Sequence, residues 1–294
     1  MNDIIALALP FFVVTMLVEW ALLRRQRNLV GYEARDTAAS LSLGIGYLAI
    51  AAAYKVVVVA AYVWFYERRI FNIELGALGW VAAFVVQDFC FYWFHRFGHE
   101  ARIGWAGHVN HHSSTHYNLS TALRQSWTEH LFGPLFWWPL ALIGVPVEAL
   151  LVIEAVSLIY QYWLHTELVG KLGPFEWVFN TPSAHRVHHG RNLQYMDRNY
   201  GGILIIWDRL FGTYEPEREP VEYGITKNLD TYNPVRIAFH EWTAMIRDVA
   251  HAQSLRAALG AIFAPPGWRA DGNHETVRAL MQRESRNAAS AAAE

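Results

Sequence analysis

Eight histidines fall into three short clusters: "HRFGH" with His95 and His99, "HVNHH" with His108, His111 and His112, and "HRVHH" with His185, His188 and His189. An imidazole gives a metal one ring nitrogen, and the spacing along a helix decides which rings can meet. His95 and His99 stand one turn apart on a shared face and can reach a single metal ion. In each HxxHH pentapeptide the i and i+3 rings share a face while the i+4 ring points about 100° further round, so each can serve two different metal ions. Two metals held among eight imidazoles leave positions open for oxygen and substrate. Cys90 is the single cysteine, which excludes an internal disulfide, a cysteine-ligated iron–sulfur cluster and a zinc ribbon. Any metal is held by nitrogen and oxygen. His130, His240, His251 and His274 stand singly and read as ordinary hydrogen-bonded residues.

The elements that must position these rings are membrane-embedded. More than half of the 294 residues are hydrophobic, and 13 Trp with 14 Tyr suit the interfaces of a bilayer. A net charge of −2 gives no reason to expect nucleic acid as a partner. Residues 4–23, followed by Arg24, Arg25 and Arg27, are long enough to span a hydrocarbon core of roughly 30 Å. The basic cluster follows the apolar run, so this reads as an anchor instead of a cleaved signal. A second run, 38–66, carries Lys55 near its middle, which must face protein or water, or snorkel towards the interface. A third, 76–94, leads straight into His95. Counting passes from a cytosolic Arg24 to Arg27 places the histidines on the cytosolic side of what reads as a bacterial inner membrane.

Residues 131–164 are apolar but broken at "GVP" (144–146), as a hinge or hairpin would require. Beyond 166 the chain turns polar. Ile246, Trp242, Met245 and Val249 give residues 234–263 an amphipathic helical pattern, too polar to span, that lies against the membrane surface or the catalytic domain. The expected fold is all-α and integral to the membrane, with four to five embedded helices and a cytosolic helical cap carrying a histidine-rich di-metal site. Residues 1–270 form one domain, and 271–294 a polar, disordered tail.

Ligand type alone does not choose among zinc, copper, iron and nickel. Location does more. A thiolate-free site at a bilayer face can reach the C–H bonds of lipid chains, and two redox-active irons that reduce O2 explain it with fewer assumptions than hydrolysis does. No GxGxxG, CxxCH or cysteine set supplies electrons, so the donor is a separate protein or a diffusible reductant.

"HRFGHE", "HVNHHSS", "YNLSTALRQS" and "TPSAHRVHHGRN" through "DRNYGGILIIWDRLFGTYEPE" resemble the fatty acid hydroxylase superfamily of membrane di-iron enzymes over residues 87–217, in motif detail its alkylglycerol monooxygenase group and bacterial relatives. The resemblance implies metal ligation by the eight clustered histidines. It adds His165, in "WLHTE", as a further ligand, and Glu100 as a catalytic carboxylate that bridges iron or carries a proton. His116 stands where relatives commonly carry an acidic residue and is left out of the ligand set. The resemblance also implies two iron ions, O2, a lipid substrate of fatty acyl, alkylglycerol or sterol type, and a reduced pterin or an electron-carrier protein as reductant. Asn118, Glu129, Asn180 and Asp208 are plausible groups orienting the ligand imidazoles. A sterol or carotenoid desaturase or hydroxylase, or an aminolipid hydroxylase, would share the metal core. A membrane metal transporter or storage protein is the reading from a different class, yet transport would set its ligands inside the spans.

Overall fold

Long apolar runs become helices because every backbone polar group within a bilayer must be satisfied inside its own segment. The computed structural model describes residues 2–26 and 29–291; Arg27, of the basic cluster, and residues 292–294 of the tail lie outside them. Five embedded helices run Asn2–Leu23 (α1), Ala34–Glu67 (α2), Ala77–Glu100 (α3), Gly133–Ile143 (α6) and Val147–Leu164 (α7). Among them α2, α3 and α7 are long and apolar enough to cross a membrane, and α1 adds a shorter apolar stretch from Leu7 to Leu23. Short helices α4 (Arg102–Ala106), α5 (Val109–His112), α8 (Pro182–His188) and α9 (Ile206–Phe211) build the cap, which α10 (Pro234–Ala250), α11 (Leu255–Phe263) and α12 (Val277–Ala291) complete. Among the described residues β structure is limited to two isolated bridges, Phe179 with Leu204 and Gly190 with Tyr223. The protein is all-α and integral to the membrane.

The break at 144–146 is a hairpin. Gly144 takes φ +123 as α6 closes, a conformation open to glycine alone at little cost. The adjoining carbonyls of Leu142 and Ile143 accept from the Ile70 and Phe71 amides of the α2–α3 loop at 2.8 and 3.1 Å. That loop and the hairpin therefore share the face of the membrane opposite the histidines. α7 returns to deliver His165 to the side where α3 delivers His95 and His99. Ala141, Ala149 and Ala155 are fully buried, letting helices approach closely around a core of Tyr62, Phe94, Trp137, Leu150 and Ile153.

At 34 residues α2 measures about 51 Å, well beyond the hydrocarbon thickness. The excess is its first turns, which enter the cap: Asp36, Ala39, Ser40 and Leu43 are buried there. Arg124 is 2% exposed and reaches Asp36 Oδ1 at 3.3 Å, Ser40 Oγ at 3.2 Å and the Asn110 carbonyl at 2.9 Å. It thereby ties α2 to the residues just before His111. Removing one partner of a buried ion pair leaves an uncompensated charge, so Arg124→Met is expected to destabilise the protein by about 3 kcal/mol. Thermal unfolding in detergent measures this, and Arg124→Met with Asp36→Leu should recover part of the loss.

Two expectations change. The helical pattern over 234–263 is two helices, because His251 caps α10 and Ser254 Oγ accepts from the Ala257 amide to start α11. Its buried face is Ile237, Ala238 and Met245, while Ile246 is 63% exposed: the helix turns towards α2 and α4, where Arg102 pairs with Glu241 and Asp248 at 2.7 and 2.6 Å. Residues 277–291 are helical and not disordered, since alanine, arginine and glutamate favour a helix without any packed core.

Candidate metal centre

All nine histidines come together, from α3, the α4–α5 segment, the end of α7, and α8. They form two groups, within each of which the ligand atoms lie within 4.8 Å of one another: His95, His99, His108, His112 and His188 in the first, and His111, His165, His185 and His189 in the second. Each HxxHH pentapeptide does serve both groups, but the partition differs from the one its spacing suggests. Positions i and i+4 (His108 and His112; His185 and His189) stay together, and i+3 (His111; His188) crosses to the other group. On a helix i and i+4 stand about 40° apart whereas i+3 lies about 60° to the other side, so the nearer pair shares a metal position. His116, His130, His240, His251 and His274 belong to neither group.

Backbone carbonyls aim the rings. His95 Nδ1 lies 2.8 Å from the Tyr200 carbonyl, His165 Nδ1 2.9 Å from that of Gln161, and His188 Nδ1 2.9 Å from that of Arg198. A carbonyl oxygen only accepts, so each Nδ1 carries the proton and each Nε2 presents a lone pair to the interior. His165 Nε2 then faces His111 Nε2 at 3.2 Å and His185 Nε2 at 3.1 Å, while His95 Nε2 faces His108 Nε2 at 3.1 Å. The Nε2 atoms of His99, His188 and His189 are buried with no hydrogen-bond partner. Converging lone pairs and orphaned nitrogens are what a cation would satisfy, so the donor set fits metal ions. Burial, and then the neighbouring rings, push His108, His111, His112, His185, His188 and His189 well below the ordinary histidine pKa, and burial lowers that of His165 to about 4. The rings are held neutral, the form that ligates.

The four polar residues expected to orient imidazoles do not touch them. Asn118 binds the Gly31 carbonyl, and Asn180 the Gly201 and Gly202 carbonyls. Asp208 works one step removed: it accepts from the Tyr200 and Gly201 amides at 2.8 and 2.7 Å, fixing the peptide whose carbonyl holds His95. Glu129 lines the cavity beside His95 and His108, and burial pushes its carboxyl up to about 7. Glu100 is not brought to the metal groups; its carboxylate, 44% exposed, pairs with Arg96 at 2.9 Å.

Two cavities with no lining residue in common meet the histidines from different directions. One, about 260 Å³, is walled by apolar side chains of α1, α2, α3 and α7 and ends on His95, His108, His111, His165 and His185. The other, about 250 Å³, is polar, lies between the cap and α10–α12, and ends on His99, His112, His188 and His189. Lys55 lines a third, of about 290 Å³, that shares Tyr47, Leu48, Phe94, Glu129 and Gln161 with the first.

Embedded helices thus close, at one bilayer face, on two histidine groups that could each hold a metal ion. Residues 80–213 match the family model "Fatty acid hydroxylase". It is 40% identical to alkylglycerol monooxygenase of Homo sapiens over 268 residues, 90% of this chain and 60% of that protein. With alkylglycerol monooxygenase of Danio rerio it shares 41% over 264 residues, 89% of this chain and 59% of the relative. It is 34% identical to ornithine lipid hydroxylase OlsE of Rhizobium tropici over 149 residues, 50% of this chain and 45% of the relative. The chain thus spans about 60% of the length of the alkylglycerol monooxygenases it matches. No solved structure matches it.

Proposed function

We propose that the protein is an O2-dependent lipid monooxygenase that hydroxylates an unactivated C–H bond, its site facing the cytosol. One observation carries this reading: the apolar cavity, walled by membrane helices, ends on histidines drawn from both ligand groups. A lipid chain entering from the bilayer would bring a methylene against the rings. Two irons held by the nine histidines would supply the activation of O2. The chain's own residues do the rest. The tautomers set by Tyr200, Gln161 and Arg198 keep the ligands aimed, and Phe91, Phe94 and Leu158 exclude water from the chain's path. The polar cavity on the other side is where a diffusible reductant or a carrier protein would deliver electrons. Glu100 enters the reading only as the partner that holds Arg96. The similarity to alkylglycerol monooxygenases and to a bacterial lipid hydroxylase supports a lipid substrate.

The test is direct. Purified protein should hold about two irons and take up O2 only when both a reductant and a lipid are present. Bound metal with no oxygen uptake under any donor would favour storage or transport instead. Asp208→Asn should weaken metal binding by about tenfold to a hundredfold, because one amide hydrogen would face a backbone N–H that the carboxylate accepted. Titration of the metal-free variant with ferrous iron measures this.

A further inference from the structure

The cavity containing Lys55 has a floor whose polarity an all-methylene lipid tail does not explain. Gln87 is 1% exposed and its Oε1 has no hydrogen-bond partner; Trp137 is 8% exposed and its indole N–H has none either; the buried His130 Nε2 is a third such atom. All three residues line this cavity. Beside them stand Lys55 and Glu154, whose carboxylate accepts from the Tyr62 hydroxyl at 2.7 Å. Buried polar atoms are almost always satisfied, so several orphans around one space mark a missing partner. Ionisable side chains at bilayer depth point the same way.

The floor lies deep. Gln87 precedes His95 by eight residues on α3, roughly 12 Å along the axis, and Glu154 precedes His165 by eleven on α7, roughly 16 Å. A chain of fatty-acyl length whose reacting carbon sits at the histidines crosses this depth within the joined cavities. The partner's chemistry follows from the mixture of groups. A donor, the Trp137 indole N–H, and acceptors, Gln87 Oε1 and the Glu154 carboxylate, line one space. A carboxylate there would confront Glu154, and an ammonium, which only donates, would leave the Trp137 indole N–H unsatisfied. A neutral hydroxyl both donates and accepts and can engage either set.

We propose that this floor is a second recognition site, for a hydroxyl carried by the lipid chain far from the carbon that is oxidised. It rests on the reading of the apolar cavity as the lipid channel and narrows the substrate class to chains that carry a mid-length hydroxyl.

The experiment is binding to the full-length protein in detergent, by calorimetry, with two probes: stearyl alcohol, and the same chain bearing an additional mid-chain hydroxyl. The hydroxylated probe is expected to bind about tenfold more tightly. The ratio should collapse towards one in Gln87→Leu and in Trp137→Phe. Equal affinities in the unmodified protein would overturn the polar floor while leaving the lipid channel standing. Failure of both probes to bind would overturn both. A Gln87→Leu protein that no longer binds stearyl alcohol has lost its fold, and Trp137→Phe, which removes the indole N–H while keeping an aromatic ring there, then decides: an unchanged ratio refutes the proposal.

Discussion

His188→Ala should abolish oxygen uptake and release metal while the protein still inserts and purifies normally. His188 contributes an Nε2 that no protein atom satisfies, and its ring centroid lies 4.3 Å from that of His95 and 4.7 Å from those of His99 and His112. Alanine opens the first group from five nitrogens to four and frees the Arg198 carbonyl that fixed the ring. Groups that merely orient ligands change metal affinity by about tenfold to a hundredfold, so loss of a ligand itself should exceed a hundredfold. α8 belongs to the cap and spans nothing, which is why insertion should survive. His116→Ala is the contrast, because His116 lies outside both groups and should leave metal content and oxygen uptake intact. Iron analysis beside an oxygen electrode reads both. Full activity in His188→Ala would remove this ring from the site.

The second large effect is acid lability of the metal-free protein. Seven imidazoles (His108, His111, His112, His165, His185, His188 and His189) have folded pKa values depressed by burial below the value of about 6.5 expected when unfolded. Above 6.5 both states carry neutral rings and the stability is intact. Below it the unfolded chain binds protons that the folded chain refuses, so stability falls with pH, by up to about 1.4 kcal/mol per ring per pH unit. Seven rings acting together would remove an amount comparable with a typical whole-protein stability of about 5–15 kcal/mol within a unit or so of acidification. Thermal midpoints of iron-stripped protein should drop steeply from pH 6.5 to 5.5 and hold level from 7 to 8. A flat profile across 6.5 would mean that the rings are not buried as a neutral set.

Residue types with their own signature were legible in the sequence. Three histidine clusters predict the convergence, and a Gly-Val-Pro break between apolar runs leaves room for the hairpin that returns His165. What escaped had no residue type to read. The acceptors that choose each tautomer are the carbonyls of Tyr200, Gln161 and Arg198, and any residue has a carbonyl. Polar side chains were the visible suspects, so Asn118 and Asn180 drew a role that they do not fill. Glu100 drew one from its place beside His99, yet the helix turns it outward to Arg96.

The nine rings divide between two chambers, five ending the oily one and four the more polar one, with no lining residue shared. A molecule parked in either leaves the other's doorway open. Substrate and electron source should therefore load in any order, neither acting as a rival of the other, and a detergent lodged among the membrane helices should compete with lipid alone.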